Sequence, residues 1–200
     1  MSMVGLRVPE EAARILWAFF ESKYDWPDTV PMEDAHVTLL HLGDSLPKDM
    51  SDRAAEALLR ATADVRPFTV STSRVRTFGS AGEDGTPIVC QIDSEPLHAL
   101  RQRLAEAFDA AGVPYSKKYP EYKPHVTLAY SPDPLVDELF GSYSGFSPVE
   151  WGVHEVILWG GDKGLGEPSE SFPLSVVPRT AQFRLAVKRA LGMSTQPAHR

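Results

Sequence analysis

Apolar and polar positions along this chain follow two periods, and the switches between them mark out its elements. Val4 to Val8 reads as a short strand, with Pro9 at a helix start. Ala12, Ile15, Leu16, Phe19 and Phe20 then recur at helical spacing, which predicts an amphipathic helix over 9–23. Pro27 and Pro31 place a loop over 25–34, and Tyr24 and Trp26 beside it read as core or rim. The apolar, β-branched run that follows predicts a strand over 35–42. An Ala-rich helix is expected over 52–63, then strands over 68–78 and 87–92 joined by a turn at Gly79–Gly85. The clearest stripe, Leu97, Leu100, Leu104, Ala107, Phe108 and Ala111, predicts a helix over 95–111, stopped by Gly112 and Pro114. A loop rich in Lys and Tyr leads to a strand over 125–130. Residues 149–159 read as a strand interrupted around Gly152, 160–166 as a turn or flexible loop, and 172–177 as a last strand. The order β-α-β-α-β, followed by β-α-β and further strands, is that of an α+β protein.

Two hundred residues, 42% hydrophobic and 24% charged, describe an ordinary globular protein with chain enough for a real core. Residues 1–177 are expected to be one domain. Residues 178–200 differ: Arg179, Arg184, Lys188, Arg189 and Arg200 stand there without an acid, and Phe183, Val187, Ala190 and Leu191 could line a basic helix. That tail is expected to dock on the body, or else to bind a protein partner or a second copy. Since the chain carries −7 in all, the first 177 residues sum to −12. So acidic a body disfavours long duplex nucleic acid, whose binding rests on neutralised phosphates, but tolerates a small phosphorylated ligand held by local cations. No run is long and apolar enough to cross a bilayer, and Pro9-Glu10-Glu11 breaks any signal-peptide order, so a cytoplasmic protein without membrane contact is expected. Cys90 is the only cysteine and reads as a buried, inert thiol in a strand.

Two strings carry candidate chemistry: His36-Val37-Thr38-Leu39 and His125-Val126-Thr127-Leu128. In a strand the His and Thr of each share one face and the apolar pair the other. The repetition itself suggests an internal duplication. Two imidazoles suit phosphodiester chemistry, one entering neutral as base and the other charged as acid, because they titrate near neutrality. Each threonine can donate to a phosphoryl oxygen. Metal binding competes poorly: His36 and His41, five apart, would lie on opposite faces of a regular strand, and no His-Glu-x-x-His spacing exists. No metal or cofactor is expected.

This doublet resembles that of the 2H phosphoesterase superfamily, in its 2′-5′ RNA ligase-like branch, and the resemblance covers most of residues 1–177. It implies a bilobal, pseudo-twofold α+β fold, two antiparallel sheets flanked by helices, with the motifs facing each other across a central cleft. It implies His36, Thr38, His125 and Thr127 as catalytic residues. The implied activity is metal-independent hydrolysis of a small nucleotide: a 2′,3′-cyclic phosphate, an ADP-ribose cyclic phosphate, or a 2′-5′-linked oligonucleotide. Some phage members resemble this scaffold and degrade cyclic oligonucleotide signals of bacterial immunity, so a phage counter-defence enzyme is one such expectation. ATP-independent 2′-5′ RNA end-joining, or a non-catalytic nucleotide-binding module, are the alternatives. For the substrate, Tyr115, Lys117, Tyr119, Tyr122 and Lys123 crowd the approach to His125 with aromatics and cations, as stacking and phosphate neutralisation require. Arg74 and Arg76 alternate on a strand, and Arg74 is expected to hold a phosphate if that face lines the cleft.

Overall fold

The computed structural model describes residues 1–22, 29–78, 85–118, 120–131, 146–160 and 170–175. Its elements follow in the order β1 (Ser2–Arg7), α1 (Glu10–Glu21), β2 (His36–Gly43), α2 (Lys48–Thr62), β3 (Phe68–Thr77), β4 (Thr86–Ile92), α3 (Glu95–Ala111), β5 (His125–Ser131), β6 (Glu150–Val153), β7 (Glu155–Trp159) and β8 (Glu170–Pro173). They build two antiparallel four-stranded sheets, ordered β2-β1-β7-β8 and β5-β4-β3-β6. Each sheet has a motif strand at its edge, β2 or β5, and these two edges meet. The architecture is therefore the expected α+β one, bilobal and pseudo-twofold about a central cleft.

Local chemistry explains where the elements begin and end. Ser94 caps α3 by accepting from the Leu97 N–H at 3.3 Å, and Gly112 ends it in the left-handed conformation at φ 66°. The second helix starts at Lys48, four residues before its expected start, because the Pro47 carbonyl already accepts from the Ser51 N–H at 2.8 Å. The strand expected over 149–159 does break, but at His154 rather than Gly152. Gly152 is paired with Thr69 inside β6, and beyond His154 the chain leaves the second sheet for the first, where β7 pairs with β1. The last strand starts at Glu170, because its pairing to Leu158 begins there. Tyr24, Trp26, Tyr119, the turn at 79–84, residues 161–166, 176–177 and the tail 178–200 lie outside the described residues.

One contiguous core runs through both halves. It joins Val4 and Leu6 of β1, Leu16 and Phe20 of α1, Leu58 of α2, Ile88 of β4, Leu104 and Phe108 of α3, Val126 of β5 and Phe172 of β8. Cys90 is buried in it, and burial pushes its thiol up to about 12, so it stays an inert thiol. Met3, Ile157 and Trp159 form a separate buried cluster. Register places that cluster on the other face of the first sheet, where His36 also sits. Among the described residues no helix is long and apolar enough to cross a membrane.

Candidate active site

Both motif strands carry the same irregularity. Thr38 lies opposite Gly5 and Leu40 opposite Val4, so Leu39 is an extra residue in β2. Thr127 lies opposite Val89 and Ala129 opposite Ile88, so Leu128 is the extra residue in β5. These β-bulges follow each threonine directly and let two consecutive apolar residues turn inward. The first bulge overturns one expectation: His41, paired with Met3, comes round to the face of His36 and Thr38 instead of the opposite one. Tyr130 holds the matching place in β5, opposite Pro87.

The two imidazoles are held alike. His36 Nδ1 is 2.8 Å from the carbonyl of Asp34, and His125 Nδ1 is 2.7 Å from the carbonyl of Lys123, in each case two residues upstream. A carbonyl can only accept, so both Nδ1 atoms carry the hydrogen and both Nε2 atoms are left to take up or release a proton. Burial pushes both histidines below their ordinary range. For His36 the Asp34 carbonyl and carboxylate work against that shift; for His125 the Lys123 carbonyl does, while the charge of His36 adds to it. Among the described residues the Thr38 hydroxyl donates to Met3 Sδ, a weak acceptor, at 3.6 Å.

An aromatic ring flanks each histidine, and an arginine covers each ring. Trp159 lies 6.3 Å from His36 and Phe78 lies 4.7 Å from His125, centroid to centroid. Arg7 stands 6.0 Å over Trp159 and Arg76 stands 5.8 Å over Phe78. Gly5 makes room for the indole: a Cβ there would sit 2.7 Å from the Val37 carbonyl oxygen and 3.0 Å from the Trp159 ring. Sequence reasoning did not single out Trp159, Phe78, Arg7 or Gln91. For Phe78 a signal was present, since it continues the alternation Arg74, Arg76 on one face.

The expected substrate residues are placed unevenly. Arg74 lies on the His125 face, in register with Gln91 and through it with His125. Tyr122 donates its hydroxyl to the Thr38 carbonyl at 3.1 Å, with His98 edge-on to its ring and Arg101 over it, so it ties the second motif's approach to the first motif's strand. Burial pushes its phenol pKa up, which keeps that donor protonated. Tyr115 and Lys117 are tied to Asp109, each at 3.0 Å, rather than to either histidine, and together they hold that carboxyl below its usual range. Lys123 pairs with Glu121 at 3.0 Å. Among the described residues no three His, Cys, Asp or Glu side chains converge as metal ligands would.

The family model of the 2′-5′ RNA ligase superfamily matches residues 8–165. Among solved structures, TT0787 of Thermus thermophilus is 24% identical, with a TM-score of 0.62 over 87% of this chain and 98% of its own. LigT of E. coli in complex with 3′-AMP is 16% identical, with a TM-score of 0.64 over 87% and 97%. A structure described as a phosphoesterase is 16% identical, with a TM-score of 0.60 over 87% and 94%. No curated protein sequence matches the chain.

Proposed function

Since the chain belongs to the 2′-5′ RNA ligase superfamily, we propose that it is a metal-independent phosphodiesterase of a small nucleotide, with His36 and His125 as its acid–base pair. The observation that carries this reading is the matched pair of Nδ1-to-carbonyl bonds, which leaves both Nε2 atoms for proton transfer. In hydrolysis one neutral imidazole takes a proton from water as its oxygen bonds to phosphorus. The other, charged, gives its proton to the departing oxygen as the old P–O bond breaks. Thr38 and Thr127 donate to the non-bridging oxygens, where charge develops. LigT has been crystallised with 3′-AMP, NADP+ and ATP, which supports a ligand of nucleotide size here. The substrate class proposed is a 2′,3′-cyclic phosphate, a 2′-5′-linked oligonucleotide or a cyclic oligonucleotide signal.

The family's ligase description favours a second reading, ATP-independent 2′-5′ end-joining, because the same acid–base pair serves the reverse direction. One experiment separates these. Turnover of 2′,3′-cyclic nucleotides, 2′-5′ and 3′-5′ dinucleotides and cyclic di- and trinucleotides is followed by chromatography and mass spectrometry, with EDTA present. Hydrolysis that chelator leaves intact is expected. Activity lost in EDTA and restored by zinc or magnesium would sink the two-imidazole mechanism, and joined products from 2′,3′-cyclic and 5′-hydroxyl ends would establish the ligase.

A further inference from the structure

Two rows of residues cross the sheet face that carries the second motif. His125 pairs with Gln91 and Gln91 with Arg74; Thr127 pairs with Val89 and Val89 with Arg76. Each reacting residue of β5 therefore has an arginine in register two strands away, about 9.6 Å at ordinary strand spacing. Side-chain contacts hold both arginines on this face. Arg74 Nε donates to Gln91 Oε1 at 3.2 Å, and the Gln91 amide donates onward to Asp93 Oδ1 at 3.1 Å. Arg76 lies over Phe78, whose ring touches His125.

Both arginines are exposed, and neither takes part in any ion pair among the described residues. Sharing one strand face, their charges add to a local positive patch. The first sheet repeats the arrangement only in part. It carries one arginine, Arg7, directly opposite His36, and its other row runs Thr38, Gly5, Ile157, with an apolar residue where Arg76 stands. The cation pair is thus a property of this half of the cleft and not of the fold's symmetry.

We propose that Arg74 and Arg76 form a second phosphate subsite, so that the preferred substrate carries a non-scissile phosphate about one nucleotide step from the bond cleaved. This rests on the phosphodiesterase reading and narrows it. A bare 2′,3′-cyclic nucleoside phosphate has a single phosphate and leaves the subsite empty. A 5′-phosphorylated nucleotide or a di- or oligonucleotide fills it, and the guanidinium groups can each present two N–H donors to it.

The test compares adenosine 2′,3′-cyclic phosphate with and without a 5′-phosphate as substrates. In parallel, calorimetry compares binding of adenosine 3′-monophosphate and adenosine 3′,5′-bisphosphate. The added phosphate is expected to raise kcat/KM, and binding, by about tenfold or more, the size of one charge-assisted contact. In Arg74→Ala and Arg76→Ala that ratio should fall towards one. In Arg60→Ala, which removes a cation held by Glu56 on α2, it should keep its wild-type value. A wild-type ratio near one, a ratio that survives both substitutions, or an equal fall in Arg60→Ala would each overturn the subsite. Absence of turnover on every substrate would instead remove the phosphodiesterase reading, and the binding ratio alone would then decide the subsite.

Discussion

The carbonyl oxygens of Asp34 and Lys123 impose one tautomer on two imidazoles, and burial then sets the pH at which the pair can work. On the proposed mechanism the reactive form has one proton shared between the two rings: the base neutral, the acid charged. Both rings sit below the ordinary histidine value of 6.5, and His36 depresses His125 further, so the two macroscopic steps both fall on the acid side. Lowering pH protonates the base, and raising pH strips the acid. A bell-shaped kcat/KM profile with its maximum below pH 6.5 is therefore expected. His36→Ala and His125→Ala should each lower kcat by about 10²–10⁴-fold and flatten one limb. The double variant should fall well short of the product of the two losses, since the rings act as a unit. A maximum above neutrality, or a rate climbing steadily to high pH, would assign the proton transfers to other groups.

At the scale of elements, β1 is the strand on which the first motif leans. Its residues Met3, Gly5 and Arg7 stand opposite His41, Thr38 and His36, and Gly5 lets the Trp159 ring lie close. Gly5→Ala would drive a methyl group into the Val37 carbonyl, a backbone atom that cannot turn aside. A loss of about 1–3 kcal/mol in urea unfolding is expected, as for other overpacked sites, together with a lower kcat because Val37 lies between His36 and Thr38, the proposed catalytic residues of β2. Wild-type stability and activity in that variant would mean that β1 yields without cost. Much of this was legible beforehand. The helix over 95–111 matched α3 because its apolar stripe and its terminal glycine agree. The bulges were less so, although Leu39-Leu40 and Leu128-Ala129 each break strict alternation in the same place. The change of sheet at His154 was not legible, because both halves of the run have strand patterning and only pairing partners tell them apart. Among the candidate site residues, the motifs followed from local periodicity. Trp159 depended on a contact between strands distant in sequence, which no single segment reveals, whereas Phe78 continues the alternation of Arg74 and Arg76.

The whole molecule is closed by reciprocal straps. The segment leading to the first motif pairs with the second motif's strand, through Val30 N–H to the Leu128 carbonyl at 2.9 Å and the bridge of Thr29 with Ala129. The segment leading to the second motif binds the first motif's strand, through Ser116 N–H to the His41 carbonyl at 2.8 Å and Tyr122 to the Thr38 carbonyl. Each histidine's backbone is thereby referred to the other half, which is what the proposed mechanism, with a proton-transfer group on either side of one phosphate, requires. Charge at this scale limits what can enter. With 27 acids against 20 lysines and arginines, the net charge opposes a polyanion at long range, and on the proposed reading the phosphates engaged are those that reach local cations such as Arg74 and Arg76. Counterion release follows the number of phosphates neutralised, at about −0.7 per contact for single strands. Apparent affinity for a mono- to trinucleotide should therefore fall with salt at a log–log slope of about −1 to −3. Long duplex RNA should bind poorly even at low salt. A titration showing long duplex bound with a slope near −6 or steeper would make the substrate a polymer, and deleting the basic residues 178–200 would then show whether that segment supplies the missing cations.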